Sequence, residues 1–409
     1  MKLNTYNERN KIKVFVNDRK KQRPIPIGKL QKDNNRHIFE YVDSIQDIYM
    51  LSLRMPVTQK FYYREYDLLP FFDMYIPEGY LYEIFKNILI KNFDLEPNFN
   101  DFYILNMLAP DIIGRVVFNA NDSKQTIKPV DFDYIKNNDS FDTFKYLLDR
   151  FLTKNAISGV QPKTIITVEE ETALSDRATV YASDYIIKTW GQEYPYLAEN
   201  EYFCMQAVKK AGIHIPQITL SKNKNFLIIK KFTDQYTGFE EVLSLFGLTK
   251  QKKYTGSYEK IAKLIQTVSS NISKDMKLYY KLVVMNYLLG NGDAHLKNFA
   301  VLYDFDLTNI RLSPAYDVVC TVAYIKNDQP ALTLNGKKIW FKKEPLISFG
   351  KKYCLLSHQE SNELYEECVE SVAYTINQIN NYIKDNPHFE EVAKRMTKFW
   401  KSQINGDSL

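Results

Sequence analysis

Leu282-Val283-Val284-Met285-Asn286-Tyr287-Leu288-Leu289-Gly290-Asn291-Gly292-Asp293-Ala294-His295-Leu296-Lys297-Asn298 is the stretch around which this chain is organised. A largely apolar run ends in Gly290-Asn291-Gly292, which can supply the positive backbone dihedrals of a tight turn. The turn delivers Asp293 and then Asn298. Asn298 to Tyr303 reads as one strand, 304–309 as a turn, and Ile310-Arg311-Leu312 as the returning strand. Ser313-Pro314-Ala315-Tyr316 then brings the chain to a second acid, Asp317.

Two acids and an amide in this order suit the transfer of a γ-phosphoryl group. That reaction needs a carboxylate to orient the attacking hydroxyl, an amide oxygen nearby to hold a metal ion, and a second carboxylate on the metal that bridges the phosphates. Asp293, Asn298 and Asp317 have the spacing of those three groups. Asp-x-x-x-x-Asn after a glycine turn also occurs as a plain polar loop; the hairpin and Asp317 that follow favour the chemical reading.

Gly290 to Phe299 followed by Leu312 to Asp317 resembles the signature of HipA-type serine/threonine kinases, the toxin halves of bacterial toxin–antitoxin systems. Ile157-Ser158-Gly159-Val160-Gln161-Pro162-Lys163 agrees with it, as do Glu193-Tyr194-Pro195 and Glu199 to Met205. The resemblance covers most of the chain. It implies an α+β, bilobal protein-kinase-like fold with an N-terminal β-rich subdomain (residues 1–122), a kinase N-lobe with phosphate-binding loop and hinge (123–238) and a mainly helical C-lobe (239–409).

Composition is compatible with this. A chain of 409 residues suits two or three lobes, and 45% hydrophobic with 25% charged residues describes a folded protein. The net charge of +5 makes no case for nucleic-acid or membrane binding. Cys204, Cys320, Cys354 and Cys368 lack C-x-x-C spacing and read as reduced core residues. No apolar signal region opens the chain and no run approaches membrane-spanning length, so the expected compartment is the cytoplasm.

Taken in order, Lys13 to Val16, Arg23 to Leu30 and His37 to Tyr41 alternate as strands of a small antiparallel sheet. Leu69-Pro70-Phe71-Phe72 and Ile76-Pro77-Glu78-Gly79 lead into a helical pattern from Tyr80 to Asn92; these two segments resemble a pattern that precedes the kinase core in HipA-like proteins. A polar stretch at 119–128 marks a boundary. Gly159, lacking a Cβ, allows the Ser158-Gly159-Val160-Gln161 turn and Lys163 to approach phosphates before the strand Thr164 to Val168. A simple hairpin turn needs no more than one glycine. The resemblance implies an autophosphorylated serine in this loop; the family's usual position is Ala156 here, which leaves Ser158 as the candidate.

Lys188 ends an otherwise apolar alternation, Asp184 to Lys188, where a phosphate-holding ammonium belongs, and it needs a carboxylate partner on the next helix. Glu199 and Glu201 are the two choices, with Glu201 preferred; a solvated edge lysine and two surface acids are the alternative. Phe226 to Phe232 resembles the hinge strand that pairs with adenine, with Lys231-Phe232 as its contact residues. Tyr258 to Ser270, Lys274 to Leu289, Glu360 to Tyr382 and Phe389 to Ile404 are helical by pattern, and Gly336 to Phe341 reads as a hairpin, either a plain surface hairpin or one that touches substrate. His295 either hydrogen-bonds a phosphate oxygen or braces its own loop.

The expected activity is ATP- and Mg²⁺-dependent phosphorylation of a protein serine or threonine, with Asp293 orienting the hydroxyl. The resemblance implies an aminoacyl-tRNA synthetase as substrate and a small HipB-like helix-turn-helix antitoxin as partner, through which alone DNA would be bound. Two alternatives stand beside it: a small-molecule phosphotransferase, which shares the Asp-x-x-x-x-Asn loop, and a catalytically idle partner of a repressor.

Overall fold

The computed structural model describes residues 10–79, 82–87, 101–108, 114–119, 130–155, 178–182 and 185–405. The chain opens on a five-stranded antiparallel sheet in spatial order β4-β3-β2-β1-β5. Its strands are β1 (Lys11–Asp18), β2 (Arg23–Asp33), β3 (Arg36–Tyr41), β4 (Phe61–Glu65) and β5 (Val116–Phe118). In β1, Ile12, Val14 and Val16 are fully buried while Lys11 and Lys13 face solvent, the period of two that a one-sided sheet demands. β2 tolerates Pro24 and Pro26 because β3 pairs with it only from Gly28 onward, so the proline half has one neighbour and lacks no ladder bond on the other side. Helix α1 (Asp101–Leu108) covers this sheet with Phe102, Ile104 and Leu105. The helical pattern expected from Tyr80 is seen in residues 82–87; its remainder, and most of the 119–128 boundary, lies outside the described residues.

A second antiparallel sheet has the order β6-β7-β9-β8: β6 (Ala178–Ala182), β7 (Tyr185–Thr189), β8 (Ile218–Leu220) and β9 (Leu227–Lys230). Helix α2 (Phe141–Asn155) precedes it and α3 (Leu197–Lys210) follows β7. Ile187 and Ile228 of this sheet, with Phe226 just before β9, share a core with Phe39, Phe72 and Phe102, so the two sheets are fused through apolar packing.

The remainder is mainly helical: α4 (Tyr258–Val268), α5 (Ile272–Leu289), α6 (Lys343–Tyr353), α7 (His358–Asp385) and α8 (Glu390–Asn405). α5 is buried without interruption from Tyr279 to Leu289, the pattern of a helix surrounded by its neighbours. α6 is an addition to the pattern read from sequence; Pro345 stands in its first turn, where a missing N–H costs nothing, so the proline does not break it. The hairpin after Asn298 forms as β11 (Ala300–Tyr303) and β12 (Arg311–Leu312), and it gains a third strand, β10 (Gly238–Glu241), paired with β11. All four cysteines are buried and unpaired to one another. Among the described residues no helix is long and apolar enough to cross a membrane.

Candidate active site

α5 ends at Gly290, whose φ of +68° is the left-handed cap that turns the chain out of the helix. A side chain there would meet the Phe399 ring, so glycine serves both conformation and space. Gly292 does not take a positive φ, contrary to the reading of a paired-glycine turn; it is small because a Cβ would overlap the Asp328 carboxylate. Asn291 pins the turn, donating from its amide to the Asn286 side chain at 2.8 Å and accepting from the Asp293 N–H at 3.2 Å. Asp293 is thereby presented half-exposed at the end of a buried helix.

The loop closes on itself five residues later. The His295 N–H donates to Asn298 Oδ1 at 3.2 Å, and the Asn298 N–H donates to the His295 carbonyl at 3.0 Å. Asn298 Nδ2 then donates to Asp317 Oδ2 at 2.8 Å. Asp317 holds a φ of +63°, a left-handed conformation that costs a non-glycine residue about 1 kcal/mol or more and is retained where the surroundings over-determine it. Here they do so from both oxygens, because Lys188 Nζ donates to Asp317 Oδ1 at 2.8 Å.

Lys188 stands on β7, flanked by β6 and β9, so it is an interior lysine and the alternative of a solvated edge position is ruled out by the sheet order. Its second partner is Glu201 of α3, at 2.6 Å. Glu199 is engaged elsewhere, accepting from the Tyr382 hydroxyl at 2.7 Å and lying 2.9 Å from His388 Nε2. Two positions apart on one helix, the acids face different neighbours.

The His295 ring is buried, with Nε2 at 4.0 Å from Asp293 Oδ1. Burial, only partly offset by Asp293, holds its pKa below the ordinary histidine value, so the ring is neutral at pH 7. Tyr254 packs edge-on against it at 5.2 Å and donates its hydroxyl to Asp293 Oδ1 at 2.9 Å. Beneath the loop, Lys297 turns away from Asp317 to Glu78 of the N-terminal subdomain, at 2.8 Å, with Glu241 at 4.0 Å. Glu78 also binds Lys253. Burial raises the Glu78 pKa, but Lys297 and Lys253 outweigh it and hold it down at about 2. Burial pushes Glu241 up to about 8 against the pull of Lys297.

Phe232 follows β9 and stacks on Tyr316 at 5.9 Å, with Phe239 beside both, which sets an aromatic floor next to Asp317. Lys231 is half-buried alongside. Ser158, Gly159, Val160, Gln161 and Lys163 lie outside the described residues. The structure thus brings together Lys188, Glu201, Asn298 and Asp317 by direct contact, with Asp293 and His295 on the same loop. Tyr254 and Glu78 were not singled out from sequence. Glu78 lies in a segment recognised only as a pattern, and Tyr254 in a polar turn with no periodicity to mark it.

Among the described residues no group of three or more His, Cys, Asp or Glu side chains is placed to hold a metal. Asp317 and Asn298 are a carboxylate and an amide in contact through the Asn298 Nδ2, while the Asn298 oxygen accepts from the His295 N–H; by side-chain type they are the oxygen donors Mg²⁺ takes beside water and substrate phosphates. The residues present fit that ion in company with a nucleotide.

Comparison with known proteins bears on the family and the fold. Residues 155–397 match the HipA-like C-terminal domain and residues 14–119 the HipA N-terminal domain. "Putative kinase Y4dM" of Sinorhizobium fredii is 26% identical over 291 residues, 66% of this chain and 66% of the relative. A "Putative kinase" of Haemophilus influenzae is 30% identical over 187 residues, 41% of this chain and 53% of the relative. "Putative kinase Y4mE" of Sinorhizobium fredii is 24% identical over 328 residues, covering 73% of this chain and 76% of the relative. The matches thus span less than two thirds of the length of the first two. Among solved structures, HipA of Shewanella oneidensis MR-1, in complex with HipB and its operator DNA, is similar over 97% of both chains, with a TM-score of 0.62 at 14% identity. What is shared at that identity is the fold. With both domains matched in order, the chain belongs to the HipA family.

Proposed function

We propose that this protein is an ATP-dependent protein serine/threonine kinase acting as a HipA-type toxin. One observation carries the reading: Lys188 bridges Glu201 and Asp317 while Asn298 holds the other oxygen of Asp317, so the groups suited to phosphate and metal are in mutual contact, with Asp293 on the same loop as Asn298. Asp317 and Asn298 are the residues that would hold Mg²⁺, which would neutralise phosphate charge when bound with ATP. The chain's own residues do the rest. Lys188 offers an ammonium to phosphate oxygens and is kept aimed by Glu201. Asp293 accepts the proton of the attacking hydroxyl and orients it. The aromatic floor of Phe232 and Tyr316 is suited to a nucleobase.

As part of the same proposal, an aminoacyl-tRNA synthetase is the substrate and Ser158, standing two positions after Ala156, is a self-modified residue; both rest on the resemblance of the sequence motifs. The HipA of Shewanella oneidensis was solved with HipB and operator DNA; we extend to this chain a HipB-like antitoxin as partner and DNA contact through it. The test is incubation of wild type and Asp293→Asn with Mg²⁺-ATP and cell lysate, followed by phosphopeptide mass spectrometry. Wild type is expected to phosphorylate a serine or threonine, and Asp293→Asn to do so about 10²–10⁴-fold more slowly. A wild type that neither consumes ATP nor phosphorylates any lysate protein refutes the proposal.

A further inference from the structure

One carboxylate oxygen of Asp293 already has a hydroxyl on it. Tyr254 donates to Asp293 Oδ1 at 2.9 Å, so the phenol makes at one of the two carboxylate oxygens the kind of bond that an attacking serine or threonine makes. Burial first, and the neighbouring Asp293 second, raise the phenol's pKa above its ordinary value, so it remains a donor throughout the physiological range.

The ring is not held there as core. It is 45% exposed and touches His295 by its edge. Its place is set by the turn that carries it, together with the Lys253 ammonium, which lies over the ring at 5.1 Å from its centroid. The Leu296 N–H donates to the Lys253 carbonyl at 3.1 Å, Lys338 Nζ donates to the Tyr254 carbonyl at 3.3 Å, and the Lys253 ammonium is bound by Glu78 of the N-terminal subdomain. The backbone is tied to the catalytic loop while the side chain lies at the surface, so a rotation of the ring opens Asp293 without moving the loop.

We propose that Tyr254 is a gate on the acceptor site: its phenol satisfies Asp293 while no protein acceptor is present, keeps water from being activated there, and is displaced by the acceptor's hydroxyl. The inference rests on the kinase reading above and deepens it. An acceptor that opens such a gate brings its own hydroxyl together with enough contact to hold the ring aside, which a flexible segment of a folded protein does and a water molecule does not. Tyr254 is therefore a positioning residue that selects a macromolecular acceptor over hydrolysis.

Tyr254→Phe removes the single oxygen and keeps the ring. With Mg²⁺-ATP and no acceptor, its ATP hydrolysis is expected to rise on the order of tenfold over wild type, the size of one hydrogen bond to a charged group lost to solvent exchange. KM for ATP and the thermal midpoint are expected to stay at wild-type values, which a merely structural tyrosine would not predict alongside a gain in rate. In the double variant Asp293→Asn/Tyr254→Phe the gain is expected to disappear. If wild type phosphorylates lysate proteins while Tyr254→Phe hydrolyses ATP no faster than wild type, or if the gain survives loss of Asp293, the gate is overturned and the kinase reading stands. If no protein, wild type with lysate included, turns over ATP, the kinase reading falls and the gate with it.

Discussion

Replacing Lys188 by Met separates what this lysine does for the fold from what it does for chemistry. Its ammonium lies 2.6 Å from Glu201 and 2.8 Å from Asp317, with side-chain exposures of 11%, 3% and 22% for Lys188, Glu201 and Asp317. Asp317 keeps Asn298 as a donor and has access to water. Glu201, nearly sealed from solvent, loses the Lys188 ammonium, and removing one partner of a buried pair costs about 3–5 kcal/mol. Converting Glu201 to Gln in the same protein removes the buried charge, so Lys188→Met/Glu201→Gln is expected to recover about 2 kcal/mol, a coupling within the range seen for residues in direct contact. ATP turnover is expected to remain lost in both, because no ammonium faces the phosphates. Hydrogen exchange at the amides of β7 and α3, read by mass spectrometry, measures the local stability, and phosphate release measures the chemistry. The reasoning fails if Lys188→Met protects those amides as well as wild type does, or if the double variant is no more stable than the single one.

Glu78→Gln should expose the strap between the subdomains. A carboxyl lowered from 4.5 to about 2 in the fold stabilises it fully above pH 4.5 and ceases to do so as pH falls toward 2. With its side chain about one-third exposed, the contribution discounted for screening is about 1–2 kcal/mol, so the gap between wild type and variant in thermal denaturation should be present at pH 7 and close toward pH 2; a gap independent of pH would contradict the assignment. Gly238→Ala places a methyl into the ring of Tyr303, which is buried under Arg115. Overpacking of this kind costs about 1–3 kcal/mol, and a Tm within a degree of wild type would show that the β10–β11 pairing can shift to admit it.

Much of the site was legible because its parts are local. The helix that ends at a glycine, the loop that returns an amide to its own backbone and the hairpin that leads to Asp317 are each set by neighbours in sequence, so spacing alone positions Asp293, Asn298 and Asp317. Lys188 was legible as a polar residue closing an apolar strand. Other features left no such trace. β10 pairs with a strand some sixty positions later, and a four-residue segment with one glycine has no period to mark it. α6 was hidden by a proline that its first turn accommodates.

What the sequence by itself determined is the set of chemical groups and the local geometry of each: which carboxylates, which amide, which lysine, and the family to which they belong. What only the tertiary structure decided is which of these groups touch. Glu199 and Glu201 share a helix and a charge, and only the docking of α3 against β7 and the C-terminal helices gives one to Lys188 and the other to His388 and Tyr382. Glu78 reaches Lys297 across 219 positions and Tyr254 reaches Asp293 across 39. Contacts of that separation depend on how packed surfaces meet rather than on periodicity within a segment, and so they appear only when the chain is folded.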